Sequence, residues 1–400
     1  TDFSIEEHAD GSKTVWCNEV ERMFRTKGMQ GFTLYPGKAY IEINVKIYNR
    51  TSFPQTFLWW ANPAVVVNDH YHSVFPPDVN AVFDHGKRDV SSFPIATGVY
   101  YKQDYSAGVD ISKYKNIPVP TSYMAIQSKF DFVGGYEEDV KGGLLHVADH
   151  HVSPGKKQWT WGNGDFGRAW DRNLTDEDGP YIELMTGMYT DNQPDFTWLQ
   201  PYEEKSWKQY FMPYAEVGYV KNATKDALLN MEVKEGKGKV ILYTTGVNKD
   251  VHVFVKDNVG GATLFDKVIS ISPAEPFQAE FAAEGLKDED ILVEIRNHEG
   301  RILVSYQADK PEIKPVPDPA KAAKDPKDIA SIEQLFLTGQ HLEQYRHATY
   351  DPTEYYKEAL RREPGDIRCN NAMGLWLMRK GQFAMAEPYF RKAIGTQTER

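Results

Sequence analysis

The 400-residue sequence predicts a mainly β protein: a large antiparallel sandwich, then a small β-sandwich, then a short helical segment. Three observations lead to this prediction. Apolar and polar residues alternate in short segments up to about residue 308, a stretch rich in Pro, Lys and Asp follows, and from residue 330 the apolar spacing becomes helical. Because 400 residues exceed one typical domain, we expect two or three domains.

Residues 1–225 form the predicted large sandwich. In the segment TLYPGKAYIEINVKIYNR a Pro-Gly turn is followed by apolar side chains at Ile43, Val45 and Ile47, separated by polar ones. Glycine and proline interrupt the region often, and segments of helical period are scarce. This pattern indicates antiparallel strands joined by long loops.

Residues 226–308 predict a second, immunoglobulin-like sandwich. The segments KVILYTTG, DVHVFVKD, ILVEIRNHEG and RILVSYQ are short and alternating, with turns between them. Residues 309–329 are dominated by Pro, Lys and Asp, which predicts an extended, solvated linker.

Residues 330–400 predict four helices. Asp351 is a candidate N-cap, with Pro352 at the first helical position. The pattern of residues 355–360 recurs at 386–394, a separation of about 34 residues, which is the length of a tetratricopeptide repeat (TPR). We therefore expect the start of a TPR array that presents a groove to a protein or peptide partner. The alternative is an ordinary helical hairpin.

Charge and cysteine content exclude several classes of protein. A net charge of −11 argues against nucleic acid or an anionic membrane as the main partner. Cys17 and Cys369 are too few and too far apart for a disulfide framework or a Cys-ligated zinc site, which slightly favours the cytoplasm. No apolar run has the length of a membrane span. Because the sequence begins inside a strand pattern and ends after a helical one, we expect it to be part of a longer chain.

Several segments resemble a bacterial family in which a DUF5107-type domain precedes tetratricopeptide repeats. The resemblance implies a galactose-mutarotase-like supersandwich, a fold that binds carbohydrates and occurs in epimerases, glycoside hydrolases and lyases. It also implies that the first strands of that fold precede residue 1. The segments are FLWWANPAV (57–65), FDFVGGYEED (130–139), HVADHHVSPGKKQWTWGNG (146–164), DGPYIELMTGMYTDNQPDFTWLQPYEEKSW (178–207) and QYFMPYAEVGYVKNAT (209–224).

The segment HVADHHVSPGKKQWTWGNGDFGRAW concentrates histidine and tryptophan. Its Ser-Pro-Gly-Lys turn predicts a β-hairpin with strands near 144–152 and 157–162. His146 and His150 then share one strand face, and Trp159 and Trp161 share a face that can lie across from them.

Imidazoles beside indoles suit a sugar ring, because indoles stack on its C–H groups while imidazoles exchange protons. The alternative is that these rings are sandwich core. We expect Asp165, Arg168 and Trp170 to contact ligand from the glycine-rich loop that follows. We expect no metal, since no third and fourth ligand has suitable spacing.

Sugar chemistry also needs carboxyl groups. Glu183 in YIELMTG alternates with the apolar Ile182 and Leu184, so it is our first candidate for a catalytic carboxylate, and Glu203 is the second. The alternative for both is a solvated surface charge. The remaining candidates for the cleft are aromatic or polar side chains, for each of which core packing is the favoured alternative: Trp207, His70, His72 and Asn62.

The sequence thus predicts a carbohydrate-active protein that acts on a glycoside or a free sugar by general acid–base chemistry, without a cofactor. A glycoside hydrolase and an epimerase or mutarotase-like enzyme both fit. The alternatives are a non-catalytic carbohydrate-binding module on a TPR scaffold, and an assembly protein in which the repeats are the active part.

Overall fold

The computed structural model of the protein describes residues 2–190, 196–312, 314–344 and 349–399. The chain divides into two compact units: residues 1–192 with 198–319, and residues 193–197 with 320–400. Each unit is described by itself below. Among the described residues, no helix combines the length and the apolar character needed to cross a membrane.

The first unit begins with a large antiparallel sandwich. Its strands in chain order are β1 (Asp2–Glu7), β2 (Lys13–Val20), β3 (Thr26–Leu34), β4 (Ile41–Asn49), β5 (Gln55–Phe57), β6 (Trp60–Ala61), β7 (Ala64–Val66), β8 (Tyr71–Val74), β9 (Ala81–Phe83), β10 (Val90–Ser92), β11 (Ile95–Ala96), β12 (Val99–Tyr100), β13 (Gln103–Asp104), β14 (Val109–Asp110), β15 (Thr121–Ala125), β16 (Phe132–Glu137), β17 (Gly142–Ala148), β18 (Gly155–Thr160), β19 (Tyr181–Gly187), β20 (Thr197–Leu199) and β21 (Glu204–Ala215). A 3₁₀ helix spans Tyr114–Asn116.

Two sheets dominate this sandwich. The first sheet has eight strands in the order β1-β2-β3-β4-β21-β17-β16-β8, and the second has seven, β10-β9-β15-β18-β19-β6 with β7 also paired to β19. Their pairings are antiparallel. The predicted alternation in β4 is confirmed, because Ile43, Val45 and Ile47 are all buried. These three pack with Trp207.

The hairpin predicted for residues 144–162 is wrong. Strand β17 pairs with β16 and β21 in the first sheet, whereas β18 pairs with β15 and β19 in the second. The segment between them folds into a tight turn, in which the N–H groups of Val152 and Ser153 both donate to the carbonyl of Asp149. Period-two alternation specifies which side chains share a face, but not which strand becomes the neighbour.

Residues 165–174 form helix α1 (Asp165–Leu174), although the sequence predicted a glycine-rich loop here. Gly164 is the N-cap and uses no side-chain hydrogen bond, so the usual capping signal is missing from the sequence. Asp165 in the first turn and Arg172 in the last both complement the helix dipole. Gly167 allows close packing, since a Cβ there would lie 2.0 Å from the carbonyl oxygen of Gly162.

Two consecutive lysines on β18 point to opposite sides of the second sheet. Lys156 and Lys157 are each only 1% exposed. The Nζ of Lys156 has no hydrogen-bond partner among the described residues, and burial lowers its pKa to about 8, against the opposing effect of Asp131 and Asp78. An ammonium withdrawn from water without a partner destabilises the folded state.

Lys156→Met is therefore expected to raise the free energy of unfolding near pH 7 by about 1–3 kcal/mol. Because the pKa of Lys156 is lower in the folded state, its contribution to the free energy of unfolding of the wild type is most favourable above pH 10.5. This contribution is lost as the pH falls through about 8. The extra free energy of unfolding of Lys156→Met over the wild type should therefore decrease as the pH rises from 8 to 10.5. Urea unfolding at both ends of this range measures it, with the exposed Lys239→Met as control. A less stable variant at pH 7 would contradict this account.

The first unit continues into a small sandwich of two four-stranded sheets. Its strands are β22 (Asn222–Ala223), β23 (Ala227–Lys234), β24 (Lys237–Thr244), β25 (Asn248–Asp257), β26 (Thr263–Ile271), β27 (Phe277–Ala282), β28 (Ile291–Arg296) and β29 (Ile302–Gln307), with a 3₁₀ helix at Asp288–Asp290. The orders are β22-β23-β24-β27 and β26-β25-β28-β29. Leu228 and Tyr243 pack with Phe132 and Leu145 of the large sandwich, so the two sandwiches share part of their core.

The second unit contains the four predicted helices: α2 (Ile332–Gln344), α3 (Pro352–Arg362), α4 (Ile367–Arg379) and α5 (Phe383–Thr398). A 3₁₀ helix at Pro326–Asp328 precedes them. The Asp351 carboxylate accepts from the N–H of Thr353, which confirms the N-cap. Gly339 lies against Tyr356, and one repeat length later Gly374 lies against Phe390. The same glycine–aromatic contact thus recurs in both helix pairs, as in a TPR array.

Candidate functional site

The candidate site lies on the side of the second sheet that faces away from the first. Strands β18 and β19 are neighbours there, and Trp159 is directly opposite Glu183 in their register. Ile182 and Leu184 point into the core and are fully buried, so the predicted phase of Glu183 is confirmed. We call Glu183 and the side chains near it the Lys157 cluster, which consists of Asn62, His85, Lys157, Glu183, Trp60 and Trp159.

The polar members of the Lys157 cluster form two contacting pairs, Lys157 with His85 and Asn62 with Glu183. The Nζ of Lys157 lies 3.0 Å from Nε2 of His85 and 5.6 Å from the centre of the Trp60 ring. The amide of Asn62 donates to Oε2 of Glu183 at 3.3 Å. Gly187 makes room for Trp60, because a Cβ at this glycine would lie 2.4 Å from the indole.

Burial shifts the titration of all three ionisable groups in this cluster. It raises the pKa of Glu183, while the charge of Lys157 and the hydrogen bond from Asn62 act in the opposite direction. It lowers the pKa of Lys157 to about 8, against the attraction of Glu183. It also lowers the pKa of His85 to about 4, with a further contribution from the charge of Lys157. At neutral pH the imidazole is therefore uncharged and can accept a hydrogen bond from the Lys157 ammonium.

Three predicted indoles follow one another along the edge of the cluster. Trp159 and Trp161 meet edge to face at 4.5 Å, and Trp161 stacks on Trp170 at 5.0 Å with 10° between the rings. Trp161 also donates to the hydroxyl of Tyr181 at 3.3 Å. Trp170 is 39% exposed, so the series ends in a ring that solvent reaches.

Three other predicted residues are in the interior. His146 is fully buried between the sheets, with Nε2 2.9 Å from Oγ1 of Thr186, and burial lowers its pKa to about 3. His72 is 1% exposed and stacks on Tyr219 at 3.8 Å. Trp207 packs in the core. The expectation that these rings line a cleft does not agree with their burial. For His146 the reason is that β17 and β18 belong to different sheets, so its ring lies between the sheets and not beside Trp159.

Predicted residues outside the cluster also occupy turns and a helix end. Oε2 of Glu203 accepts from the N–H of Gln200 within its own turn, and Asp165 is exposed in the first turn of α1. Nδ1 of His150 lies 2.7 Å from a carboxylate oxygen of Asp131.

The segment from Asp149 to His151 is the place where the described residues offer possible metal ligands. Asp149, His150 and His151 bring one ligand atom each within 4.8 Å of one another. The side chains of Asp149 and His151 are 61% and 78% exposed, so this group sits at the surface.

His70 and Arg168 line a depression beside helix α1. We call it the α1 cleft: it is bounded by residues 67–70, Tyr114, Asn163, the side of α1 and residues 176, 177, 179 and 180. Its volume is about 590 Å³. Nε of Arg168 donates to the carbonyl of Asn163 at 3.0 Å, which fixes this side chain beside the opening.

Sequence reasoning missed Lys157 and His85. The signal for Lys157 was present, because two adjacent lysines inside a strand must place one side chain on each side of the sheet. Assigning the first of them to a turn hid that consequence. Nothing in the local sequence points to His85, which meets Lys157 through a contact between residues 72 positions apart.

Two known families match the chain. One, described as "Domain of unknown function (DUF5107)", matches residues 1–214, and another, described as "YphG-like protein, second domain", matches residues 222–306.

Solved structures similar to the chain include a TPR-domain containing protein from Parabacteroides distasonis, with 16% identity and a TM-score of 0.45 over 97% of this chain and 52% of that one. The Slr1438 protein from Synechocystis sp. has 11% identity and a TM-score of 0.37 over 54% of this chain and 66% of its own. A galactose mutarotase-like protein from Lactobacillus casei has 12% identity and a TM-score of 0.35 over 53% of this chain and 73% of its own.

The chain spans about half the length of the Parabacteroides protein. Some of these structural neighbours have carbohydrate-related names, at low identity and with TM-scores below 0.5. The family assignment depends instead on the match to residues 1–214, which covers more than half of the sequence. The chain belongs to the DUF5107 family.

Proposed function

We propose that the Lys157 cluster acts on a free sugar by general acid–base chemistry. The observation that supports this most is that Glu183 and Lys157 lie on the same side of adjacent strands, where their opposite charges attract and burial moves their pKa values towards each other. Burial raises the pKa of the carboxyl group and lowers that of the ammonium group to about 8. Proton transfer to and from a sugar requires a base and an acid, and the raised pKa makes the Glu183 carboxylate a stronger base while the lowered pKa makes the Lys157 ammonium a stronger acid.

The reaction we propose is opening and reclosing of a pyranose ring. Glu183 accepts the proton of the anomeric hydroxyl while the bond between C1 and the ring oxygen breaks. Lys157 gives a proton to the departing ring oxygen, directly or through one water molecule, so that C1 becomes an aldehyde. Rotation about the C1–C2 bond and the reverse proton transfers reclose the ring as either anomer.

A free sugar suits the cluster better than a glycoside. Hydrolysis of a glycosidic bond ordinarily uses two carboxyl groups about 5–10 Å apart. Among the described residues of the cluster, Glu183 carries the one carboxyl group, whereas hydrolysis would need two. Asp84, next to His85, accepts hydrogen bonds from the N–H groups of Arg88 and Asp89 and so holds its own turn.

The indoles supply the binding surface of the proposal. Trp159 lies directly across from Glu183, and Trp60 lies over Lys157. An indole stacks on the C–H groups of a pyranose while the hydroxyls reach polar neighbours such as Asn62. The same surface also suits the second candidate function, a carbohydrate-binding module without turnover.

Exchange between the α and β anomers separates the two candidates. We expect magnetisation-exchange NMR on a panel of free hexoses to show faster interconversion for at least one sugar when the protein is added. The rate should rise with pH as Glu183 loses its proton, and fall again near pH 8 as Lys157 loses its own.

A hexose that binds without faster exchange would support the binding module instead. If no hexose binds, both candidates are wrong. If the protein releases the aryl group from aryl glycosides, its reaction is hydrolysis of a glycosidic bond and not the ring opening proposed here.

A further inference from the structure

The α1 cleft contains a buried carboxylate, that of Asp171, with no hydrogen-bond partner in the part of the chain that the structure describes. Asp171 lies in the second half of α1 and is 5% exposed. Neither of its carboxylate oxygens has a hydrogen-bond partner among the described residues, and burial raises its pKa. The backbone of Asp171 is satisfied separately, because its carbonyl accepts from Thr175.

The charge of Arg172 favours a carboxylate at this position, but burial opposes it more strongly, so the pKa of Asp171 is raised. The C-terminal half of a helix carries partial negative charge, so an anionic side chain there is repelled rather than stabilised. Removing a carboxylate from water without a donor is also unfavourable. A side chain that destabilises the protein in two ways, and that lines a cleft, is better explained by a ligand than by folding.

The other charges around the cleft favour a cationic ligand. Its described lining carries four carboxylates, Asp69, Asp171, Asp176 and Glu177, against two guanidinium groups, Arg168 and Arg172. Arg168 is engaged with the carbonyl of Asn163. The local field is therefore negative on balance and attracts positive charge.

The cation that fits is organic rather than a bare metal ion. Among the described residues, three metal-ligand atoms come together at Asp149, His150 and His151, and not around Asp171. The cleft volume of about 590 Å³ lies within the range of small-molecule sites. A protonated amino group offers three hydrogen-bond donors, and a carboxylate has vacant acceptor positions on both oxygens.

We propose that the α1 cleft binds a small polar molecule through a protonated amino group, with Asp171 as its counter-ion. The ion pair replaces the donors that the carboxylate lacks, and the charge-assisted hydrogen bonds make it specific for amines over neutral analogues of the same shape. The site uses none of the residues of the Lys157 cluster, so it does not depend on the function proposed there.

Titration calorimetry on the full chain tests the proposal with three probes. D-glucosamine has an amine on a sugar ring, ethanolamine has an amine without a ring, and D-glucose has the ring alone. We expect at least one of the two amines to bind, and binding to weaken at least tenfold in Asp171→Asn. Asp165→Asn, an exposed carboxylate on the same helix, is the matched control and should bind as the wild type does.

The choice between the amines identifies the class of ligand. Binding of glucosamine alone indicates an amino sugar, and comparable binding of ethanolamine indicates that the ammonium group suffices. Glucose binding that depends on Asp171 as strongly as glucosamine binding does, or the absence of any amine binding that Asp171→Asn weakens, would each overturn the proposal.

Thermal unfolding without ligand gives an independent reading. Because the unpaired carboxylate destabilises the empty protein, Asp171→Asn should raise the Tm, and a lower Tm would show that Asp171 has a structural partner instead. Glu183→Gln should leave the Asp171-dependent part of amine binding unchanged, so the failure of one proposal is distinguishable from the failure of the other.

Discussion

Replacing Glu183 by glutamine is expected to slow protein-catalysed anomer exchange by about 10²–10⁴-fold, the usual contribution of a positioned general base. Glutamine preserves the size of the side chain and still accepts a hydrogen bond from Asn62, but it cannot take a proton from a sugar hydroxyl. The rate constant is measured by magnetisation-exchange NMR at saturating sugar, where binding no longer limits the result. Sugar affinity should change far less than the rate.

The matched control for this substitution is Glu294→Gln in the small sandwich. Glu294 is also a partly buried strand glutamate, and its carboxylate pairs with Arg296 at 3.1 Å. We expect the control to exchange anomers at the wild-type rate. Unchanged exchange in Glu183→Gln, with the wild type active, would remove Glu183 from the mechanism.

Replacing His146 by alanine is expected to lower the free energy of unfolding by about 2–5 kcal/mol. The imidazole is fully buried, and it connects the two sheets through its contact with Thr186. Its removal leaves a cavity and takes one partner from a buried hydroxyl. Urea unfolding at pH 7 measures the loss.

The pH dependence of this loss follows from the lowered pKa of His146, which is about 3 in the folded protein. The stability that depends on the neutral ring is present above about pH 6.5 and is lost as pH falls towards 3. The difference between wild type and His146→Ala should therefore narrow on acidification. His151→Ala, whose side chain is 78% exposed, is the control and should change stability little.

The two roles considered for His146 give opposite results. If the residue is structural, the folded variant keeps its anomer exchange while its stability falls. If exchange is lost and stability is unchanged, the imidazole takes part in catalysis.

The strand pattern could be predicted from the sequence wherever a local period was sufficient. Alternation placed Ile43 and Val45 in the core, and it set Glu183 on the side opposite to Ile182. The helical period after residue 330 predicted four helices, and the aspartate before Pro352 predicted where one of them begins. In each case the sequence pattern and the strand or helix that it predicts lie in the same short segment of the chain.

Pairing of strands could not be predicted in the same way. The turn at residues 149–154 reads as a hairpin, yet it carries the chain from one sheet to the other. Helix α1 begins at Gly164 without a side-chain cap and packs closely at Gly167, so its start has no strong local signal. Which strands pair depends on which distant strands bury the most apolar surface together, and that is a property of the whole chain.

The fold class, the helical C-terminal segment and the side of the sheet on which Glu183 lies follow from the sequence alone, because side-chain direction follows the period of the backbone. Three further features required the tertiary contacts: Lys157 lies beside His85, His146 is enclosed, and the Asp171 carboxylate has no hydrogen-bond partner among the described residues. Burial and pKa depend on neighbours brought together from distant parts of the chain, and no local pattern contains them.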